Sequence, residues 1–145
     1  MLQKILYPTD FSDVSKKALR YIEQLKGAGT KEVIILHVID ERAVGDICQL
    51  YGSRGSEGMV MRIKEEAYKE IGGMEAELRE RGFDVKVRIE RGIPLREILR
   101  IEEEEGVSAI IIGSHGKTNI EEMLLGSVSE KVIRKSKRPV LVIKR

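Results

Sequence analysis

The chain has a single cysteine, Cys48, among 145 residues. That excludes an internal disulfide and every metal motif built on paired cysteines, and it fits a reducing compartment. No excess of one charge sign is present: 26 Lys+Arg against 24 Asp+Glu leave a formal +2. A nucleic-acid or anionic-membrane partner normally demands a more lopsided balance, so neither is expected. No apolar run approaches the ~20 residues of a spanning helix, and Met1 leads within a few residues into a short strand. We therefore expect neither signal peptide nor anchor, and a cytoplasmic location. Asparagine is nearly missing too, Asn119 being the only one, while 34% of residues are charged. That profile leans towards a thermophilic source.

What is present suffices for one domain, since a chain of this length buries about two-thirds of its unfolded surface. Short apolar runs alternate with segments of helical period. The strand candidates are Lys4 to Tyr7, Val33 to Ile39, Phe83 to Ile89, Ala109 to Ile112 and Val140 to Ile143. Five strands separated by helices predict an α/β fold with a parallel sheet. The runs at Val33 and Ala109 are continuously apolar, as in strands covered on both faces. Phe83 to Ile89 alternates instead, with Val85, Val87 and Ile89 on one face, which suits an edge.

Helices are predicted from Ser12 to about Lys26, from about Met59 to Arg81 with a weak middle at Gly72-Gly73, and from Pro94 to about Glu105. A fourth should open with Ser127-x-x-Glu130 as a capping box. The segment from Asp40 to Gly58 holds four glycines and no clear period. It reads as a long loop on the rim where open α/β sheets bind ligands.

The most informative motif follows the run Val107 to Ile112: Gly113-Ser-His-Gly116, then nine residues, then Gly126-Ser127. Glycines at a strand end admit positive φ and let backbone N–H groups approach an anion, and Gly126-Ser127 lies where a helix should begin. This spacing points to a nucleotide. Gly116-Lys117-Thr118 copies the tail of a P-loop, but that motif needs glycine where Ile111 stands. The turn after the first strand, Tyr7-Pro-Thr-Asp10, lacks GxGxxG, which disfavours dinucleotide binding of the Rossmann type.

Asp10, at the end of the first strand, is placed to accept hydrogen bonds from ribose hydroxyls or to help hold Mg²⁺. The alternative is a loop aspartate that caps the next helix, a task for which Ser12 and Asp13 are better placed. A phospho-acceptor role fails because Ile5 to Pro8 contains no acidic pair. His37 reads as a hydrogen-bonded core or rim histidine. His115 lies inside the glycine turn without a visible partner for base catalysis. Lys131 to Arg138 reads as a basic helix end, and Glu102 to Glu105 as a solvated acidic face.

Taken together, Ile5-Leu-Tyr-Pro-Thr-Asp10, Leu36-His-Val-Ile39, the two-part glycine motif with Gly126-Ser-Val-Ser129, and Arg138-Pro-Val-Leu-Val-Ile143 resemble the ATP-binding branch of the universal stress protein family along essentially the whole chain. The resemblance implies a five-stranded parallel sheet in the order 3-2-1-4-5. It implies ATP over the ends of strands one and four, with Mg²⁺ or Mn²⁺ between phosphate oxygens. By position, Asp10 would meet the ribose, the Val38 backbone the adenine, and Gly113 the ribose or α-phosphate. Gly116, Gly126, Ser127 and Ser129 would hold phosphates, while Pro8, Thr9, His115 and Val128 line the pocket. It also implies a homodimer through the C-terminal strand. The expected function is an ATP-dependent switch in the stress response, acting on an unknown protein partner. A slow ATPase or adenylyl-transfer enzyme, and a dimeric interaction module with a vestigial pocket, are the alternatives.

Overall fold

A computed structural model describes residues 2–114 and 126–144. Its sheet has five parallel strands, β1 (Lys4–Pro8), β2 (Glu32–Asp40), β3 (Asp84–Gly92), β4 (Ala109–Gly113) and β5 (Val140–Ile143). Their order is β3-β2-β1-β4-β5, as expected, with Ile5 paired to both Val33 and Ala109. Among the described residues four α-helices connect them: α1 (Asp13–Leu25), α2 (Glu41–Glu80), α3 (Pro94–Glu105) and α4 (Ser127–Lys135).

The two-residue period of the strands divides the core into two layers. Ile5, Tyr7, Val33, Ile35 and Ile111 meet Ala18 and Ile22 of α1 and Ile71, Met74 and Leu78 of α2. Leu6, Ile34, Leu36, Ile110 and Ile112 point the other way, to Ile98 and Ile101 of α3 and Val132 of α4. Strands apolar on both faces thus occupy the centre, while β3 and β5 form the edges. Among the described residues no helix is long and apolar enough to cross a membrane.

Three local expectations are corrected. Residues 41–58 are helical rather than a loop, with a break at Gly52 (φ 71, ψ 173); α2 then runs on through Gly72-Gly73 as one helix, as expected. Val44 is the only buried residue among those described there, so little burial exists to impose an apolar period. The capping box is not formed, because Gly126 takes the N-cap of α4 and Ser127 becomes its first residue. Glu102 is not solvated: at 2% exposure its carboxylate accepts from Ser136 Oγ and from the Arg138 N–H (3.1 Å), holding the turn before β5.

Glu105 is half-buried, its side chain 8% exposed. Lys86 Nζ reaches it at 2.6 Å and Arg88 at 3.0 Å, and Arg88 continues to Glu90 at 2.6 Å and Glu104 at 2.9 Å. This network knits the β3 edge to the end of α3.

Candidate nucleotide site

Parallel strands place all their C-terminal ends on one rim, and the rim is concave where the chain leaves β1 for one face and β4 for the other. There a cleft of about 320 Å³ opens. Its first wall is the β1–α1 turn. Thr9 N–H donates to Leu36 O at 2.8 Å, the last rung between β1 and β2. Beyond it hydroxyl groups fix the turn. Thr9 Oγ1 accepts from Phe11 N–H (3.1 Å) and Ser15 Oγ (2.5 Å), and Ser12 Oγ caps α1 by accepting from Ser15 N–H (3.2 Å). Tyr7 OH donates to Ser15 O at 2.5 Å, and burial pushes its pKa up. Asp10 accepts from Ser12 N–H at 3.0 Å, so it shapes the helix entry while also lining the cleft.

The second wall is β2. Leu36, Val38 and Asp40 share a face by strand period. Parallel alternation turns the Val38 N–H and C=O to the same side as the Leu36 carbonyl, past the last β1 rung. A backbone donor and acceptor therefore stand side by side at the cleft. Asp40 caps α2, accepting from Arg42 N–H (3.0 Å), Nε (3.1 Å) and a terminal guanidinium nitrogen (2.8 Å). The Arg42 hydrogen bond holds the Asp40 carboxyl below its usual range. Pro94 and Ile98 of α3 close the apolar side.

The third wall is formed by β4 and α4. A Cβ on Gly113 would lie 3.0 Å from Val14 Cγ1 and 3.2 Å from Ser15 N, so this glycine is required by the packing of α1. Gly126 has φ −63 and ψ 152, ordinary extended backbone. Neither described glycine of the motif uses positive φ; close approach to α1 is what Gly113 serves. Gly126 N–H donates to Ser114 O (2.6 Å), and Ser129 Oγ to Gly113 O (2.6 Å). Among the described residues no side chain caps α4, whose first-turn N–H groups lack intrahelical acceptors. Ser127, Val128 and Ser129 all line the cleft, so the positive end of the helix dipole faces it.

The structure thus brings Pro8, Thr9, Asp10, Val38, Gly113, Gly126, Ser127, Val128 and Ser129 to one cavity. His115, Gly116 and Lys117 lie outside the described residues. Ser15, Asp40, Arg42, Pro94 and Ile98 also line the cleft and were not singled out from sequence. The period of β2 contains the signal for Asp40; Arg42 was hidden in a segment read as a loop. His37 is a rim residue, its Nδ1 2.7 Å from Thr9 O and its ring stacked on Phe11 with centroids 4.4 Å apart. Among the described residues no three His, Cys, Asp or Glu side chains gather to hold a metal ion.

Comparisons with known proteins agree with this architecture. The profile of the universal stress protein family matches residues 1–144. Universal stress protein MJ0577 of Methanocaldococcus jannaschii is 48% identical, over 100% of this chain and 96% of its own length. The solved structure of MJ0577 superposes with a TM-score of 0.91, covering 100% of this chain and 97% of that one. At the level of fold alone, the Archaeoglobus fulgidus universal stress protein in complex with dAMP is similar, with 21% identity, a TM-score of 0.65, and coverage of 99% and 98%. The chain therefore belongs to the universal stress protein family.

Proposed function

We propose that this chain binds ATP with Mg²⁺ or Mn²⁺ in the cleft and acts in the cytoplasm as a nucleotide-dependent switch in the stress response, recognised by a protein partner when loaded. One observation carries the reading: the N-terminus of α4, which no described side chain caps, opens into the same cleft as Asp10 and the outward backbone of Val38. An anion site, a carboxylate and a donor–acceptor pair lie in the order β4, β1, β2, the order of phosphate, ribose and base in a nucleotide. The dAMP complex of the A. fulgidus relative supports an adenine nucleotide as ligand.

In this reading the Val38 backbone meets the adenine, Asp10 the ribose hydroxyls, and Gly113, Gly126, Ser127 and Ser129 the phosphates. Pro8, Thr9 and Val128 form walls; His115, expected as a further wall, and Gly116, expected at the phosphates, lie outside the described residues. The divalent cation neutralises phosphate charge when bound. Hydrolysis is slow, because phosphoryl transfer needs a positioned water and neutralisation of developing charge. Of the described cleft residues, Arg42 is the sole guanidinium; it lies on the β2 side and is tied to Asp40.

Calorimetric titration tests this. ATP with Mg²⁺ should bind well ahead of adenosine, and equal affinities would overturn the phosphate cradle. Asp10→Ala should weaken ATP by about 1 to 3 kcal/mol, the usual cost of a lost hydrogen bond to a charged group.

A further inference from the structure

The proposed ribose and phosphate contacts use the β1 and β4 sides of the cleft. The Asp40–Arg42 pair on the β2 side has no part in them. We propose that Arg42 is a specificity-determining residue for the base: by engaging Asp40 it withholds a paired acceptor that guanine would use, and so keeps the cleft selective for adenine. The inference rests on the nucleotide reading above.

Asp40 lies two residues beyond Val38 on the same strand face, and both line the cleft. If the base meets the Val38 N–H and C=O, Asp40 is the next side chain of β2 that lines the cleft beside it. An ionised carboxylate only accepts hydrogen bonds, and its two oxygens can receive two parallel N–H donors at once. Guanine offers such a pair in N1–H and the N2 amine; adenine has an unprotonated N1 and no amine at C2. A free aspartate at this position would therefore favour guanine.

Arg42 removes that option. Its Nε and one terminal nitrogen straddle the two carboxylate oxygens at 3.1 and 2.8 Å, and its backbone N–H takes Oδ1 again at 3.0 Å. Oδ1 is then fully used and Oδ2 half used, so the paired acceptor no longer exists. A solvent-exposed ion pair contributes little stability. Its placement at the base end is what gives it consequence.

The test is the ratio of GTP to ATP dissociation constants, measured by calorimetry with Mg²⁺ for wild type, Arg42→Ala, Arg42→Gln and the double variant Asp40→Asn/Arg42→Ala. Wild type should prefer ATP. Both Arg42 variants should narrow the ratio by at least about tenfold, the scale of a hydrogen bond to a charged group. The double variant should restore the preference, because asparagine cannot present two acceptors. Arg42→Gln keeps the backbone N–H cap on Asp40 and much of the side chain, so it serves if the alanine variant melts early. An unchanged ratio in a folded Arg42 variant, or no restoration in the double variant, would overturn the role of Arg42. Wild type that binds neither nucleotide would overturn the nucleotide reading itself, a separate result.

Discussion

Ser129 Oγ donates to the carbonyl oxygen of Gly113 at 2.6 Å, fastening the first turn of α4 to the end of β4. The serine is 4% exposed, so water cannot readily replace the bond. Ser129→Ala should cost about 1 to 3 kcal/mol by leaving a buried carbonyl unsatisfied. Thermal denaturation without ligand should show the loss, and ATP affinity should fall as well. An unchanged melting temperature would mean that the bond contributes nothing net.

Gly113 and Gly126 should respond differently to the same substitution. Gly113→Ala forces a Cβ against Val14 and Ser15 of α1 and should destabilise the apo protein by about 1 to 3 kcal/mol, as overpacking does. Gly126 already has a conformation alanine accepts, so Gly126→Ala should cost no more than about 1 kcal/mol at an N-cap. Its effect should appear as weaker ATP binding. Denaturant titrations of the two apo variants, beside calorimetry, separate packing from binding.

Lys86 and then Arg88 hold the Glu105 carboxyl below its usual range, burial opposing them. Its folded pKa is therefore lower than the unfolded one. The stabilisation is fully present above about pH 5 and is lost as pH falls through the folded value. Glu105→Gln should accordingly melt below wild type near neutral pH, and the gap should close on acidification. A gap that stays constant between pH 6 and pH 3 would remove Glu105 from the acid sensitivity of the fold.

Leu141 is 44% exposed on the edge strand β5. An apolar edge is a surface for a second copy of the chain. Light scattering at micromolar concentration should find a homodimer for wild type, and Leu141→Lys should shift it to monomer. A wild-type monomer would remove the dimer altogether, and a fully dimeric variant would place its interface elsewhere.

The sheet was legible because burial writes itself into composition: Val33 to Leu36 and Ala109 to Ile112 are apolar at every position, as only strands covered on both faces need be. Likewise Pro94 opens α3 and Gly106, at φ 59, ends it. Residues 41–58 were misread for the converse reason. A helix touching the body mainly through Val44 has no buried face to set a period, and its glycines mimic a loop. Glu102 was misread because four successive glutamates suggest solvent, although Ile98 and Ile101 put that position on the inward side of α3.

Much of the cleft was legible through the glycine spacing, but the reason was incomplete. Backbone freedom was expected at Gly113; contact with α1 is what the structure shows. Arg42 left no trace in the sequence, because its partner is two residues away and its importance depends on where β2 ends.

Because β1 lies between β2 and β4, the walls of the cleft come from opposite ends of the chain: Thr9 and Asp10 early, Gly126 to Ser129 late. A polypeptide emerging from the ribosome can pair β1, β2 and β3 while the cleft still lacks a wall. Ligand affinity then arises only when β4 and α4, which follow those three strands in the chain, have docked. Whatever occupies the cleft stabilises the finished fold by mass action and gives nothing to the fragments that precede it.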